Sequence, residues 1–385
     1  MRPSPLFRLF LAMVALFAVS HQAAAQTATE GGSPWHAGGF LDIAVVDDFD
    51  NPSNHLFRNR GTTPRVDEFD VDMAGVTAGK QASNASRWGA DLTIHGGRDS
   101  GTFGFSATAP NIAGADWLRH FGPTSLSYLA PAGNGLAIQA GIFSSLIGYD
   151  SLYAKDNYSY SRAWGADYTP YLMLGVNASY PFTNNLTCTF AVVNGYWHLA
   201  HANDVPSVVG QIAVKGDDGV TFKQTVLYGP HQSNTSLEFW RLLSDSIVER
   251  KGDRFVAAFE YQLGAERVDG PGHSLALWTS AQAPLHWSLR QPWSVTFRPE
   301  VAWDRDGRWI GAPQIVTALT STLEYRVPSR RTETIVRLEH RIDNAHGSGG
   351  GFFTDDDGRL TPTQILVSIA AIFTFDTSAR PGGAK

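Results

Sequence analysis

The chain has 385 residues, with 30 basic against 36 acidic side chains, a formal charge of −6 and a single cysteine. That balance argues against nucleic acid as a partner, and one cysteine excludes an internal disulfide framework. The 38 Gly, 22 Phe, 12 Tyr and 11 Trp suit a curved sheet ringed by interfacial aromatics.

At the start, Arg2 and Arg8 precede the apolar run Leu9–Val19, and Ala23-Ala24-Ala25 forms a small-residue cleavage site before Gln26. This predicts a signal peptide over residues 1–25, too short for a spanning helix. Cutting there removes two basic and no acidic groups, leaving 28 against 36 and a mature charge of −8. Beyond Ala25 no apolar run approaches the roughly 18 residues a spanning helix needs. A barrel stays open, because its strands need only about ten residues each and half of those are polar.

Strands then follow one another. Val66–Ala82 is expected to turn Phe69, Val71 and Met73 outward and Glu68, Asp70 and Asp72 the other way. Ser86–Gly96 and Phe121–Pro131 come next, the latter leading into Asn134-Gly135, a pair that readily takes positive φ in a tight hairpin. Gly135–Leu146, Tyr171–Phe182, Asn185–Trp197, Val208–Lys215 and Thr221–Tyr228 continue the meander. Cys188 falls on the apolar set Leu186, Phe190 and Val192, a lipid-facing or buried position with nothing nearby to activate a thiol. Trp240–Glu249 reads as a strand, although Trp240-Arg241-Leu242-Leu243 could equally begin a short helix. Arg254–Glu266 and Ser274–Trp287 follow, and Pro284 and Pro299 are expected at strand ends or bulges because each lacks a ladder donor.

The C-terminal strands carry the clearest alternation. In Trp293–Asp304, Trp293, Val295, Phe297, Pro299, Val301 and Trp303 oppose Ser294, Thr296, Arg298, Glu300 and Asp304. The same split recurs after Ile315–Val327, in Thr332–Asp343 and Thr363–Asp376. A period of two makes these faces on a strand, whereas on a helix they would wrap around.

Connections sort by length. Short ones lie at Ala82–Ala85, Ala132–Asn134, Phe182–Asn184, Gly216–Asp218, Lys251–Gly252, Leu289–Gln291 and Ser329–Arg331. Long ones lie at Asp50–Arg65, Arg98–Arg119, Ile147–Arg162, His198–Pro206, Pro230–Glu238, Val268–Gly272, Arg305–Pro313 and Asn344–Thr361. A soluble sandwich has no reason to sort its loops this way. The expectation is all-β: a transmembrane, antiparallel, up-and-down barrel of about sixteen strands (14–18) over residues 26–376, with both termini periplasmic. Residues 377–385 would form a short periplasmic tail.

A family resemblance accompanies this pattern. It rests on Tyr128-Leu129-Ala130-Pro131, Gly135 to Phe143, Ile147-Gly148-Tyr149, Ala154 to Arg162, Ala178 to Phe182 and Val192 to Gly195. Asn51-Pro52-Ser53, Arg58-Asn59, Pro299 to Asp304 and Gly351-Phe352-Phe353 add to it. Together these resemble the OmpL-like β-barrel porins of the bacterial outer membrane. The resemblance implies a porin-like barrel and leaves the substrate open. One departure is that Phe375 is followed by Asp376–Lys385, where such barrels commonly end on an aromatic residue.

Charges on a lipid face would cost about 2–4 kcal/mol each near the midplane, so those of the C-terminal strands must look inward. Arg298, Glu300, Glu324, Arg326, Arg337, Glu339, Arg341 and Asp343 are therefore candidate pore-lining residues, or a network that closes the lumen by pairing. The loop Ile147–Arg162 is a candidate constriction, with Asp150, Lys155, Asp156 and Arg162 among four tyrosines, or else an external cap. Arg98–Arg119 is a third loop that could turn inward, with Ile112, Asp116, Trp117 and Arg119.

Other chemistry fails on inspection. His198 and His201 have only Asp204 beside them, too few ligands for zinc. Asp355-Asp356-Asp357-Gly358 lacks the ligand spacing of a calcium loop. No GxSxG or P-loop occurs, and His340 sits on an outward parity where the aligned set offers mainly apolar groups and Thr334. The sequence thus predicts no enzyme, no metal and no cofactor. The expected activity is passive diffusion of small hydrophilic solutes or ions through an outer-membrane channel, with membrane lipid around it. The alternative is a non-conducting barrel acting as surface receptor, adhesin or structural anchor. A homotrimer suits a sixteen-strand porin, and no patch in the sequence proves one.

Overall fold

The computed structural model describes residues 35–377, apart from 103–114, 197–198, 202, 217, 233–234, 269–273, 330 and 356–357. The expected signal peptide, His198, Ile112, Asp356, Asp357 and all but the first residue of the expected tail lie outside the described residues.

The strands are β1 Trp35–Asp48, β2 Phe69–Lys80, β3 Trp88–Gly96, β4 Thr124–Ala130, β5 Leu136–Ser144, β6 Leu172–Pro181, β7 Leu186–Val193 and β8 Ser207–Lys215. They continue as β9 Val220–Pro230, β10 Trp240–Lys251, β11 Phe255–Arg267, β12 Leu275–Gln282, β13 Leu285–Ser288, β14 Trp293–Asp304, β15 Gln314–Pro328 and β16 Thr332–His346. Phe352–Phe353 (β17) and Leu360–Thr361 (β18) pair only with each other, and β19 is Thr363–Asp376.

Each wall strand pairs antiparallel with its neighbour in sequence, and β1 closes the ring against β19 from Gly38↔Asp376 to Asp48↔Leu366. The wall has seventeen segments, but β12 and β13 both lie between β11 and β14 and form one broken strand. The barrel is therefore sixteen-stranded. Seven tight connections lie at one end and eight longer loops, numbered 1 to 8 in chain order, at the other, the layout of an outer-membrane barrel. Closure leaves no strand edge unpaired in the bilayer.

The break at Ala283-Pro284 has a local cause. Pro299 falls opposite Ala283 and Pro284 opposite Arg298, on adjacent rungs between the pairs Gln282↔Glu300 and Leu285↔Phe297. Ala283 still donates to the Pro299 carbonyl at 3.0 Å, and Ala258 to that of Pro284 at 3.0 Å. The two missing N–H groups share one gap, so Pro299 sits inside β14 and only the facing strand is interrupted. Trp240 begins a strand, and the helical tendency shrinks to a single 3₁₀ turn, Leu237–Phe239. At the β4–β5 turn Gly133 and Gly135 take positive φ, 53° and 98°.

Facing follows parity almost everywhere. Leu126, Ile212, Phe259, Leu319 and Leu338 are exposed on the outer surface, where lipid covers them. Ring pairs such as Trp88–Tyr128 (4.6 Å), Phe255–Trp287 (4.6 Å) and Trp293–Tyr325 (4.7 Å) mark the girdle at the short-turn end. Met73 is the exception. The β1–β2 register shifts between Asp42 and Ile43, so Asp72 and Met73 both turn inward and Met73 is fully buried against Leu152 and Tyr153. A bulge adds one residue to a strand and resets its parity.

Gly264 of β11 lies under the Trp278 ring, and a Cβ there would overlap it. Trp278 is itself fully buried. Gly264→Val is expected to cost about 1–3 kcal/mol by overpacking, read as a lowered urea midpoint of the refolded protein.

Candidate functional site: a loop held inside the barrel

Loop 3 spans residues 145–171, and its base is closed by Ser145 N donating to Tyr171 O at 2.9 Å. Beyond two short 3₁₀ turns, Ala154–Asp156 and Gly165–Tyr168, it has no regular structure. Its backbone groups must therefore find partners elsewhere. The charged side chains of the barrel wall supply them.

Wall carboxylates accept from the loop's N–H groups. Glu339 accepts from Tyr160 N at 2.6 Å and Ser161 N at 3.0 Å, and Glu300 from Trp164 N at 2.5 Å. Asp245 accepts from Gly148 N at 2.9 Å and Glu260 from Tyr149 N at 2.8 Å. Wall guanidinium groups donate to its carbonyls. Arg298 reaches Ser161 O at 2.6 Å, Arg341 reaches Arg162 O at 3.2 Å, and Arg337 reaches Ala154 O at 2.7 Å and Ser159 O at 3.1 Å. The wall charges also pair among themselves: Arg337–Glu324 at 2.8 Å, Arg341–Asp343 at 2.8 Å and Arg341–Glu300 at 3.0 Å. Asp343 in addition accepts from the Trp164 indole at 2.7 Å.

Of the eight inward charges picked out in the sequence, Arg298, Glu300, Glu324, Arg337, Glu339, Arg341 and Asp343 are buried beneath this loop. Instead of lining open water they bond the loop or brace one another, because the loop covers them. Arg326 alone is part-exposed, 38% by side chain, between Glu324 (3.0 Å) and Glu333 (2.9 Å).

The four loop residues divide. Asp150 turns back to accept from Ala163 N at 2.8 Å and lies 3.9 Å from Arg298. Arg162 is fully buried, 3.7 Å from Asp99, and donates to Ser151 O and Leu152 O within its own loop. Lys155 and Asp156 pair with each other at 2.8 Å near the loop's exposed side. Tyr149 donates to Glu249 at 2.7 Å, and burial together with that carboxylate pushes its phenol pKa up, which keeps it a donor.

Loop 1 locks loop 3 from above. Arg60 donates to Arg162 O at 2.6 Å, pairs with Asp167 at 3.1 Å and lies 4.9 Å over the Trp164 ring. At the long-loop end of β10, Arg241 sits 4.6 Å from the rings of Tyr196 and Trp309 and 5.3 Å from that of Trp278, paired with Glu266 at 2.5 Å. Beneath loop 3, toward the short-turn end, a cavity of about 240 Å³ remains, bordered by Tyr149, Tyr158, Lys223, Glu249, Lys251 and Arg298 among others.

Elsewhere the residues weighed for chemistry stay apart. Asp116 and Arg119 pair with each other within the 3₁₀ turn Ala115–His120 of loop 2, and Trp117 is exposed. Among the described residues no group of three or more His, Cys, Asp or Glu is placed to hold a metal. His340 faces outward directly opposite Ser321, a neighbour the sequence reading missed because it needs the β15–β16 register. No carboxylate shares the outward faces of those two strands.

Residues 34–375 match the family described as putative beta-barrel porin-2, OmpL-like. The chain belongs to that family. Its strands make it an outer-membrane barrel, and solved outer-membrane proteins share the fold. The outer membrane channel DcaP of Acinetobacter baumannii is 10% identical, with 89% of this porin and 97% of that chain covered at a TM-score of 0.58. OmpT of Vibrio cholerae is 9% identical, covering 90% and 99% at 0.55. An anion-selective porin from Comamonas acidovorans is 10% identical, covering 89% and 99% at 0.52. No curated protein matches this porin in sequence.

Proposed function

We propose that the protein is an outer-membrane porin that passes small hydrophilic solutes and ions by diffusion, with loop 3 setting the width of the path. The observation that carries this reading is the anchoring of loop 3 across the lumen by Glu339, Arg337, Arg298 and Glu300. A long loop fixed inside a porin-family barrel narrows it and selects by charge and hydrogen bonding. No reaction chemistry is required and no cofactor is called for. Membrane lipid surrounds the barrel, assembly as a homotrimer is part of the proposal, the signal peptide is removed after Ala25, and residues 377–385 stay in the periplasm.

One observation favours the other reading, a non-conducting receptor or anchor. The external half of the lumen is filled by Trp164, Tyr168, Trp278 and Ile310. Reconstitution in a planar bilayer separates the two. Stable single-channel currents are expected from the intact protein, and removal of residues 151–160 should raise them. Folded protein that carries no current, with loop 3 intact or shortened, would leave the receptor or anchor.

A further inference from the structure

The buried network uses up its charges, so what a solute meets must be sought among the groups left in water. On the wall under loop 3, β9 turns Lys223 inward, and the residue is exposed. Ile247 lies opposite it on β10, with Asp245 and Glu249 diagonal on either side. Both of those carboxylates hold loop 3, and Asp245 is also within electrostatic reach of Lys223. Asp245 is buried and holds Gly148 N at 2.9 Å. Glu249 accepts from Tyr149 at 2.7 Å and pairs with Lys251 at 3.2 Å. Lys223 has no ion pair among the described residues.

The remaining charges around the cavity cancel locally. Asp156 is held by Lys155 at 2.8 Å, and Asp150 lies beside the buried Arg298 at 3.9 Å. The lining itself carries three cations, Lys223, Lys251 and Arg298, against three carboxylates, Asp150, Asp156 and Glu249, and among these cations Lys223 is the one left without an ion pair. Two phenol rings border the same space. Tyr158 is fixed by stacking on His286 at 4.3 Å, and Tyr149 by its bond to Glu249. A cavity of about 240 Å³ is larger than a bare ion needs and smaller than a drug-sized pocket.

We propose that the cavity beneath loop 3 binds small organic anions, the charge meeting Lys223 and the body lying against the rings of Tyr149 and Tyr158. The inference deepens the porin reading, since such a site on the path biases which solutes cross, but binding itself does not depend on conduction. A fixed cation in a space partly walled by protein attracts counter-ions into it, and the rings add contact that chloride cannot use.

The test has two arms on the full-length mature protein. Calorimetric titration with benzoate should give saturable heat, benzylamine should give none, and Lys223→Gln and Lys223→Glu should abolish the benzoate signal. Arg250→Gln, on the outward face of β10, should leave it unchanged. In planar bilayers under a salt gradient the wild type should prefer anions. Lys223→Gln should lower the anion-to-cation permeability ratio about tenfold and Lys223→Glu about a hundredfold, since one unit charge roughly 6 Å away in water shifts the anion and the cation about threefold each in opposite directions. Gel mobility before and after heating confirms that each variant is assembled. Benzoate binding without any current would remove the porin reading and keep the anion site. Currents that ignore Lys223, together with no benzoate binding, would keep the porin and overturn the anion site.

Discussion

Glu339→Ala should free loop 3 from the wall while leaving the barrel closed. Glu339 is 2% exposed and takes bonds from Tyr160 N, Ser161 N, the Ser161 hydroxyl and, at 2.8 Å, the Thr322 hydroxyl. Its removal strands two buried loop N–H groups and takes a neighbouring negative charge from the Arg341 guanidinium. Each buried donor left without its acceptor costs about 1–3 kcal/mol. That loss falls on loop docking and not on the wall, because β15, β16 and β19 keep their full ladders from Pro328↔Glu333 to Ile315↔His346 and from Thr332↔Phe375 to Asn344↔Thr363. Hydrogen exchange in residues 151–164 should rise by orders of magnitude, and single-channel conductance should increase. Glu339→Gln, which keeps one acceptor, should do both more weakly. Arg337→Ala should resemble Glu339→Ala, since it releases Ala154, Asn157 and Ser159 together. Unchanged exchange in either alanine variant would mean that the wall charges do not hold the loop.

The second large effect belongs to the opposite face of the same strand. Leu338 is 44% exposed on the outer surface, one residue from Arg337 and from Glu339. Leu338→Arg, and Val336→Arg beside it, should each lower barrel stability by about 2–4 kcal/mol, the cost of an arginine near the bilayer midplane. The measurement is denaturant unfolding in liposomes followed by tryptophan emission. Thr187→Arg is the control. Thr187 turns inward on β7, is only half-buried and faces the lower lumen, where a charge keeps its water. Its cost should be small. Equal losses at Thr187 and Leu338 would show that the two faces do not differ in solvent, and the facing would fail.

The strands and their facing were legible in the sequence for a single reason. A wall strand meets lipid on one side, so every second residue must be apolar, and Trp293–Asp304 and Thr332–Asp343 display that requirement directly. Connection lengths were legible because tight turns and external loops differ in size whatever their conformation. The candidate loop was visible as a long polar segment, but its docking was not. The bonds from residues 160 and 161 to residue 339, or from residue 337 to residues 154–159, join stretches far apart in the chain through backbone groups that every residue carries. Nothing periodic records them. For the same reason the inward charges could be read as lining or as plug, and only the loop's position separates the two.

Met73 and Lys223 mark the remaining boundary. Parity alone turned Met73 outward, and the bulge opposite Asp42 turned it in, because a register shift is a property of two strands together. Lys223 drew no notice as one lysine among 30 basic residues. That it has no ion pair among the described residues became visible only once Asp245 and Glu249 were seen bound to loop 3. The sequence by itself determined an alternating, lipid-facing wall, since the bilayer imposes that pattern residue by residue. Tertiary structure alone decided which charges are spent holding loop 3 and which remain in water, since that depends on where a loop without regular structure finds partners for its backbone.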